Sequence, residues 1–240
     1  MTLGACATRC DPGLVVLAMS GGVDSSVAAK VLQDQGWQVI GLHLRMFDGP
    51  AGHGPDDAAL ACQRLGIDLQ VRDVRDTFRQ SVIGPFVAEY AAGRTPNPCA
   101  LCNPAVKFAS LLQVMQDTGA NAIATGHYAA MVLRHGIHMV ARPADRMKDQ
   151  SYFLFGLDDE VRAHVVFPLA SMTKADVRAK ARELLLSTAD APESLDICFV
   201  PGGDYRDFLT ATGLPGGATP GVIVDADGQV LGCHDGIHRF

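Results

Sequence analysis

Residues 14–19 (LVVLAM) form an unbroken apolar run, the pattern of a short strand covered on both faces in a parallel sheet. SGGVDSS follows directly. Residues 27–35 then place Val27, Val31 and Leu32 at helical spacing, with Ala28 and Ala29, until Gly36 ends the segment. Residues 39–44 read as the next strand, which completes a β-loop-α-β unit in about 30 residues. The pattern predicts a helix over 56–65 ending at Gly66, a strand over 67–74, and a helix over 78–92 interrupted near Gly84 and Pro85. Residues 94–104 (RTPNPCALCNP) hold three prolines and predict a loop. A helix over 106–118, closed by Gly119, leads to a short strand at 122–124 that runs into Thr125, Gly126 and His127. Alternating strand and helix signals predict an α/β fold with a parallel sheet.

The second half reads differently. Residues 137–142 suggest a hairpin strand, and 151–167 suggest a helix stopped by Pro168. Residues 173–186 make an amphipathic helix with Thr173 as N-cap and Asp176 three positions on. Residues 196–200 (DICFV) look strand-like. Beyond Gly213 the chain is rich in Gly and Pro, and 222–224 and 230–231 flank Asp227-Gly228 as a hairpin with no third strand to follow.

Composition narrows the class. In 240 residues, 48% are hydrophobic and 19% charged, a globular mix that excludes a disordered chain. No apolar run reaches a membrane span, so no membrane partner is expected. The N-terminal stretch lacks a basic region followed by an apolar one; no signal peptide is read there, and the expected location is cytoplasmic. The net charge of −6 argues weakly against nucleic acid, yet charge is unevenly placed. Residues 94–150 and 161–183 are each net +3, whereas 184–240 are net −6.

The SGGVDSS segment has the make-up of an anion site. Gly21 and Gly22 let backbone N–H groups approach a phosphate at a helix N-terminus, and Ser20, Ser25 and Ser26 add hydroxyls. Asp24 is an acid suited to orienting donors or a metal ion. The absence of Gly-Lys-Ser/Thr excludes a Walker-type loop; a plain Ser-capped Gly turn is the bland alternative. The full string resembles the pyrophosphate loop of N-type ATP pyrophosphatases, enzymes that cleave ATP between the α and β phosphates.

Seven cysteines are too few and odd in number for a disulfide scaffold. Cys99 and Cys102 form a CxxC, a spacing open to zinc, redox or iron–sulfur use. A zinc site would need a second pair, and there is none. Cys198 taken alone is a buried hydrophobe, and Cys6, Cys10, Cys62 and Cys233 read as bystanders.

Taken in order, SGGVDSS, RTPNPCALCN, VKF, ATGHYA, KDQSYFLF, FPL with TKADVR, and DICFVPGGDY with DFL resemble the tRNA-uridine 2-sulfurtransferase (MnmA/TrmU, tRNA-specific 2-thiouridylase) family. The resemblance spans residues 14–240. It implies a Rossmann-like parallel sheet of the ATP pyrophosphatase (adenine nucleotide alpha hydrolase) kind over 1–160, and a small helical adaptor over 161–212. Residues 213–240 would start a truncated β-barrel domain. The implied reaction is ATP-dependent 2-thiolation of the wobble uridine of tRNA: the C2 oxygen is adenylated, then sulfur is transferred from a cysteine persulfide. By the same resemblance, Leu17, Ala18, Met19, Ser20, Gly21, Gly22, Val23, Asp24 and Ser25, with Leu44 and Gly126, bind ATP. Asn97, Pro98 and Cys99, with Lys148, Asp149 and Gln150, meet tRNA. Cys102 and Cys198 are the catalytic pair, ATP and Mg2+ are used, a donor protein supplies sulfur, and the chain is a monomer.

Other readings stay open beside this one. Cys99, Cys102 and Cys198 could ligate three corners of an iron–sulfur cluster. Lys107 and His127 are candidates for positive charge near the thiols. Lys174, Arg178, Lys180 and Arg182 form either a solvated face or, beside Lys148, a phosphate footprint. The aromatics within 152–155 read as core. Ala191 and Leu195 stand where the family has Lys and Gln, which bears on activation of Cys198. The competing functions are an amidating ligase of GMP-synthetase type, which needs neither the CxxC nor Cys198, and a remnant that binds nucleotide or tRNA without turnover.

Overall fold

In the structure, a computed structural model, residues 12–48, 54–191, 197–200, 203–213 and 219–239 are described. The first strand, β1 (Leu14–Ala18), gives way at Gly22 to helix α1 (Val23–Asp34), which begins four residues earlier than its apolar spacing predicts. Strand β2 (Gln38–Arg45), helix α2 (Pro55–Leu65) and strand β3 (Asp68–Asp73) follow as expected, with Gly66 in the left-handed conformation that ends α2. Strand β4 (Ala122–Ala124) and a two-residue strand, β7 (Val165–Val166), complete the sheet. All neighbours are parallel, in the order β3, β2, β1, β4, then Val165–Val166. Val15, Val16, Leu17 and all of β4 are buried, as helices on both faces require.

That strand order positions the site. β1 lies between β2 and β4, so the chain turns in opposite directions from its two sides. The crevice beyond the carboxyl ends of β1 and β4 is the switch point where such sheets bind ligands. The SGGVDSS loop leaves β1 there, and Thr125–Gly126 leaves β4 beside it.

Several expectations change. Residues 94–104 are not simply a loop. Helix α5 (Pro98–Cys102) runs through a wide turn (Asn103–Phe108) into α6 (Ala109–Thr118). The prolines permit this by position: Pro98 is at the first helical residue, where its missing N–H costs nothing, and Asn97 Oδ1 accepts from Ala100 N (3.2 Å). Pro104 enters the wide turn, whose looser register accommodates a residue that cannot donate. The same device carries α3 (Arg75–Phe78) through a wide turn (Arg79–Ile83) into α4 (Gly84–Ala91), so Pro85 does not interrupt the helix.

Residues 151–167 are likewise not one helix. They hold a 3-10 turn (Ser151–Leu154), α7 (Asp159–His164) and the fifth sheet strand. That strand lies past residue 160, so the sheet continues beyond the expected boundary there. Residues 197–200 form a turn and not a strand; Asp196 and Leu195 lie outside the described residues, as do Cys6 and Cys10.

Helix α8 (Lys174–Glu183) has the expected capping box: Asp176 N donates to Thr173 Oγ1 (3.2 Å), and Thr173 N donates to Asp176 Oδ2 (2.8 Å). Its Val177 and Ala181 join α1 in one core, while Phe199, Val200 and Leu209 of α9 (Tyr205–Ala211) join Phe78 and Phe86 in another. With Val161, Val165 and Phe167 in a third, residues 161–212 are divided among three cores. Two antiparallel pairs, β5 (Ala130–Arg134) with β6 (Ile137–Ala141) and β8 (Gly221–Val224) with β9 (Val230–His234), lie outside the sheet. Among the described residues no helix is long and apolar enough to cross a membrane.

Candidate functional site

The loop after β1 is held by its own hydroxyls. Ser25 Oγ and Ser26 Oγ each donate to Gly22 O (3.0 Å), Gly22 N donates to Ser20 Oγ (3.2 Å), and the Ser20 and Ser25 hydroxyls lie 3.1 Å apart. Gly21 is at φ +86°, and a Cβ there would come within 2.8 Å of Ala58 N, so both conformation and space demand glycine. Gly126 is equally confined: its Cβ would fall 2.9 Å from Ser25 N. The segment after β4 thus packs directly on the start of α1. Of the residues expected to bind ATP, Leu17, Met19, Val23 and Leu44 bury their side chains in the core. They offer a ligand only backbone. Ser20 is exposed at the loop's mouth, and Ala18, Gly22 and Asp24 are half-buried.

Asp24 has partners that the sequence did not reveal. Lys174 Nζ lies 2.7 and 2.8 Å from its two oxygens, and Tyr128 Oη donates to Oδ1 at 2.8 Å. The Lys174 ammonium also sits 5.7 Å from the Tyr128 ring centroid. Both Asp24 oxygens are engaged in this arrangement, and among the described residues no three His, Cys, Asp or Glu side chains are arranged to hold a metal ion.

The basic stripe is corrected by the same contacts. Lys174 pairs with Asp24 and Lys180 with Asp34, so these two cations fasten α8 to α1; Arg182 pairs with Asp190. They do not form a bare phosphate footprint.

The cysteines meet on the other side of the segment after β4. Cys99 and Cys102 ride on α5, and Cys198 comes to them from the turn at 197–200. Each sulfur is close enough to the others for their charges to interact, and all three feel the Lys107 ammonium. Cys102 is buried, with its Sγ 3.9 Å from Met46 Sδ just past β2. Cys99 and Cys198 keep an open face, yet protein crowded around each sulfur still disfavours the thiolate. Burial pushes the Cys198 thiol up to about 11, and the other two sulfurs add to the rise. Burial also raises Cys99 and Cys102, with Lys107 opposing it. Among the described residues these thiols are not grouped as metal ligands. Cys62 is buried in the core shared by α1 and α2, and Cys233 is exposed on β9.

Lys107 donates to Asn103 Oδ1 (3.0 Å), and Asn103 Nδ2 donates to Phe153 O (3.1 Å). His127 stands between the loop and the thiols. Its Nδ1 is 2.7 Å from Thr125 Oγ1, and its ring stacks 6.3 Å from Phe108. Burial first, then the Lys107 charge, hold its pKa well below the usual imidazole value, so it is neutral and not a source of positive charge.

Of the residues expected to meet tRNA, Asn97 caps α5 and is exposed, Pro98 is buried, and Cys99 is exposed. Asp149 accepts from Ser151 N (2.9 Å) and pairs with Arg142 (3.2 Å). Gln150 is tied to Tyr128 twice, its N donating to Tyr128 O and its Oε1 accepting from Tyr128 N, both at 2.9 Å. Lys148 lies half-buried at the end of a 3-10 turn (Arg146–Lys148). Of the aromatics expected in the core, Phe153 is half-buried, whereas Tyr152 and Phe155 are exposed. Ala191 is half-buried and donates its N to Thr188 O. Sequence reading missed Tyr128, Asn103 and Met46; the first two lay inside strings it singled out, and only a fold could reveal Met46.

The family model described as "tRNA methyl transferase HUP domain" matches residues 14–202. A curated tRNA-specific 2-thiouridylase MnmA of Syntrophotalea carbinolica is 47% identical over 232 residues, covering 94% of this chain and 66% of that protein. Its counterpart in Methylobacterium radiotolerans is 49% identical over 237 residues, covering 94% and 62%. The chain thus spans about three fifths to two thirds of the length of these relatives. Among solved structures, a 4-thiouridine synthetase–RNA complex with bound ATP superposes with a TM-score of 0.52 at 16% identity, over 75% of this chain and 43% of that one. That likeness concerns the fold.

Proposed function

The chain belongs to the family of the tRNA methyl transferase HUP domain, and from that premise we propose that it is a tRNA-uridine 2-sulfurtransferase acting on the wobble uridine with ATP. The observation that carries this reading is the meeting of Cys99, Cys102 and Cys198 beside Lys107, joined to the SGGVDSS loop by residues 125–128. An amidating ligase has no use for that meeting.

The chemistry follows from what each part can do. The uridine C2 oxygen is a poor leaving group; attack by it on the ATP α-phosphorus releases pyrophosphate and turns the oxygen into part of AMP. The loop N–H groups and the α1 N-terminus hold the phosphates as charge moves onto the leaving pyrophosphate. Cys198 receives sulfur from a donor protein as a persulfide, a stronger acid than the thiol it replaces. Its high thiol pKa keeps the unloaded residue protonated and unreactive. The terminal sulfur attacks C2 and AMP departs. Cys102 then attacks Cys198 Sγ, which leaves the sulfur on the base and joins the two cysteines as a disulfide that a thiol reductant resets. Lys107 stabilises the Cys102 thiolate that this step needs.

The test is thiolation of unmodified tRNA with ATP and a sulfur donor, using this chain and its Cys102→Ser and Cys198→Ser variants. Thiouridine from the parent and none from either variant is expected. A parent that binds ATP and tRNA but makes no thiouridine is a binding remnant, and the proposal fails.

A further inference from the structure

Three large apolar side chains stand in solvent within nine residues: Met147 is 90% exposed, Tyr152 59% and Phe155 78%. Burying such groups is favourable, and the chain places buried Leu154 and Leu157 among them, so the exposed ones are not there for want of a core. Their geometry is ordered. Ser151–Leu154 is a 3-10 turn, and Phe155 continues it at φ −62°, ψ −27°. Side chains three apart in such a turn eclipse one another, which sets Tyr152 and Phe155 on one face. The Tyr152 and Phe153 rings lie 3.9 Å apart between centroids.

This face is fastened to the thiols. Phe153 O accepts from Asn103 Nδ2, whose Oδ1 accepts from Lys107, and Gly156 packs against the Pro104 ring. Asn103 and Pro104 follow Cys102 directly. Arg142 and Arg146 gather at Asp149, which accepts from the first residue of this turn, and Lys148 precedes Asp149 directly. The interspersed acids are engaged: Asp145 accepts from Met147 N and Lys174 N, and Asp149 from Ser151 N.

We propose that Tyr152 and Phe155 form a stacking platform for unpaired RNA bases beside the reactive thiols. The proposal rests on the RNA-substrate reading above. Exposed aromatics flanked by cations are the recurring means of holding single-stranded nucleic acid, since every base has a π-face and the backbone is anionic. A base in an anticodon loop must leave its stack to reach a reactive group, and an aromatic surface next to the thiols replaces the stacking it loses.

The experiment measures binding of unmodified tRNA and of a short single-stranded RNA containing 2-aminopurine, by fluorescence anisotropy and quenching. It compares the parent with Tyr152→Ala, Phe155→Ala, Tyr152→Phe and Phe155→Tyr. Each alanine is expected to weaken RNA binding about 5-fold or more and to reduce quenching. The aromatic replacements restore both, and ATP binding is unchanged throughout. The alanine loss persists at high salt, whereas Lys148→Gln lowers the salt dependence. If the parent binds RNA and the alanine variants match it, the platform is wrong and the surface serves another partner. If the parent binds no RNA, the substrate reading fails and takes the platform with it.

Discussion

Replacing Lys174 with Met tests how α8 is held to the nucleotide loop. Met keeps the stem that packs there and removes the charge. The ammonium lies 2.7 and 2.8 Å from the two Asp24 oxygens, with Lys174 only 12% exposed and Asp24 34%. At an effective dielectric near 20 the direct attraction is about 6 kcal/mol. Desolvation of both groups and the ordering of a long side chain cancel most of this. The coupling that survives should be about 1–2 kcal/mol. Lys174→Met alone should cost about 2 kcal/mol, because Asp24 stays half-buried with Tyr128 Oη still donating to it. For a chain of this length that is a fall in Tm of roughly 4–8 °C. The assay is equilibrium denaturation of the parent, Lys174→Met, Asp24→Asn and the double variant. The double variant should be more stable than the sum of the single losses predicts. A coupling under about 0.5 kcal/mol would refute the reasoning and make the pair an incidental surface contact.

Three further outcomes are expected. Gly126→Ala should destabilise the chain by about 1–3 kcal/mol and weaken ATP binding, because the new Cβ falls 2.9 Å from Ser25 N; thermal melts and nucleotide titration would show it, and parent-like behaviour in both would mean the loop yields. His127 is neutral when folded and gains a proton more readily unfolded, so its contribution is intact above about pH 6.5 and is lost as pH falls below. His127→Asn should flatten the Tm slope between about pH 6.5 and 5.5, and an unchanged slope contradicts the assignment. Site-resolved alkylation by iodoacetamide should find Cys198 sluggish at neutral pH and accelerating toward about 11, and Lys107→Met should slow Cys102 and Cys99 further; equal rates with and without Lys107 would remove it from the thiol site.

Local chemistry explains what could be read without coordinates. The apolar run of β1, the glycines after it and the Thr173–Asp176 box act within a few residues of themselves, so their strings carry their structures. The motif order also carried the family. The proline-rich CxxC segment misled because proline signals position as much as prohibition; at the first residue of α5 it starts a helix, and only the cap at Asn97 decides between loop and helix. Tyr152 and Phe155 misled because an aromatic residue in a short turn has no period to declare its face.

The sequence by itself determined the parallel α/β sheet, the glycine-serine loop at the end of its first strand, and the family. Tertiary structure decided what those groups are to one another. The order β3, β2, β1, β4 brings the loop and residues 125–128 to one crevice. Packing brings Cys198 to α5 and raises its thiol, burial beside Lys107 leaves His127 neutral, and Lys174, open to reading as a solvated face or a phosphate footprint, becomes the partner of Asp24. Charge state and reactivity depend on desolvation and on charges within a few ångströms. Those neighbours come from segments that are distant along the chain, so no local pattern records them.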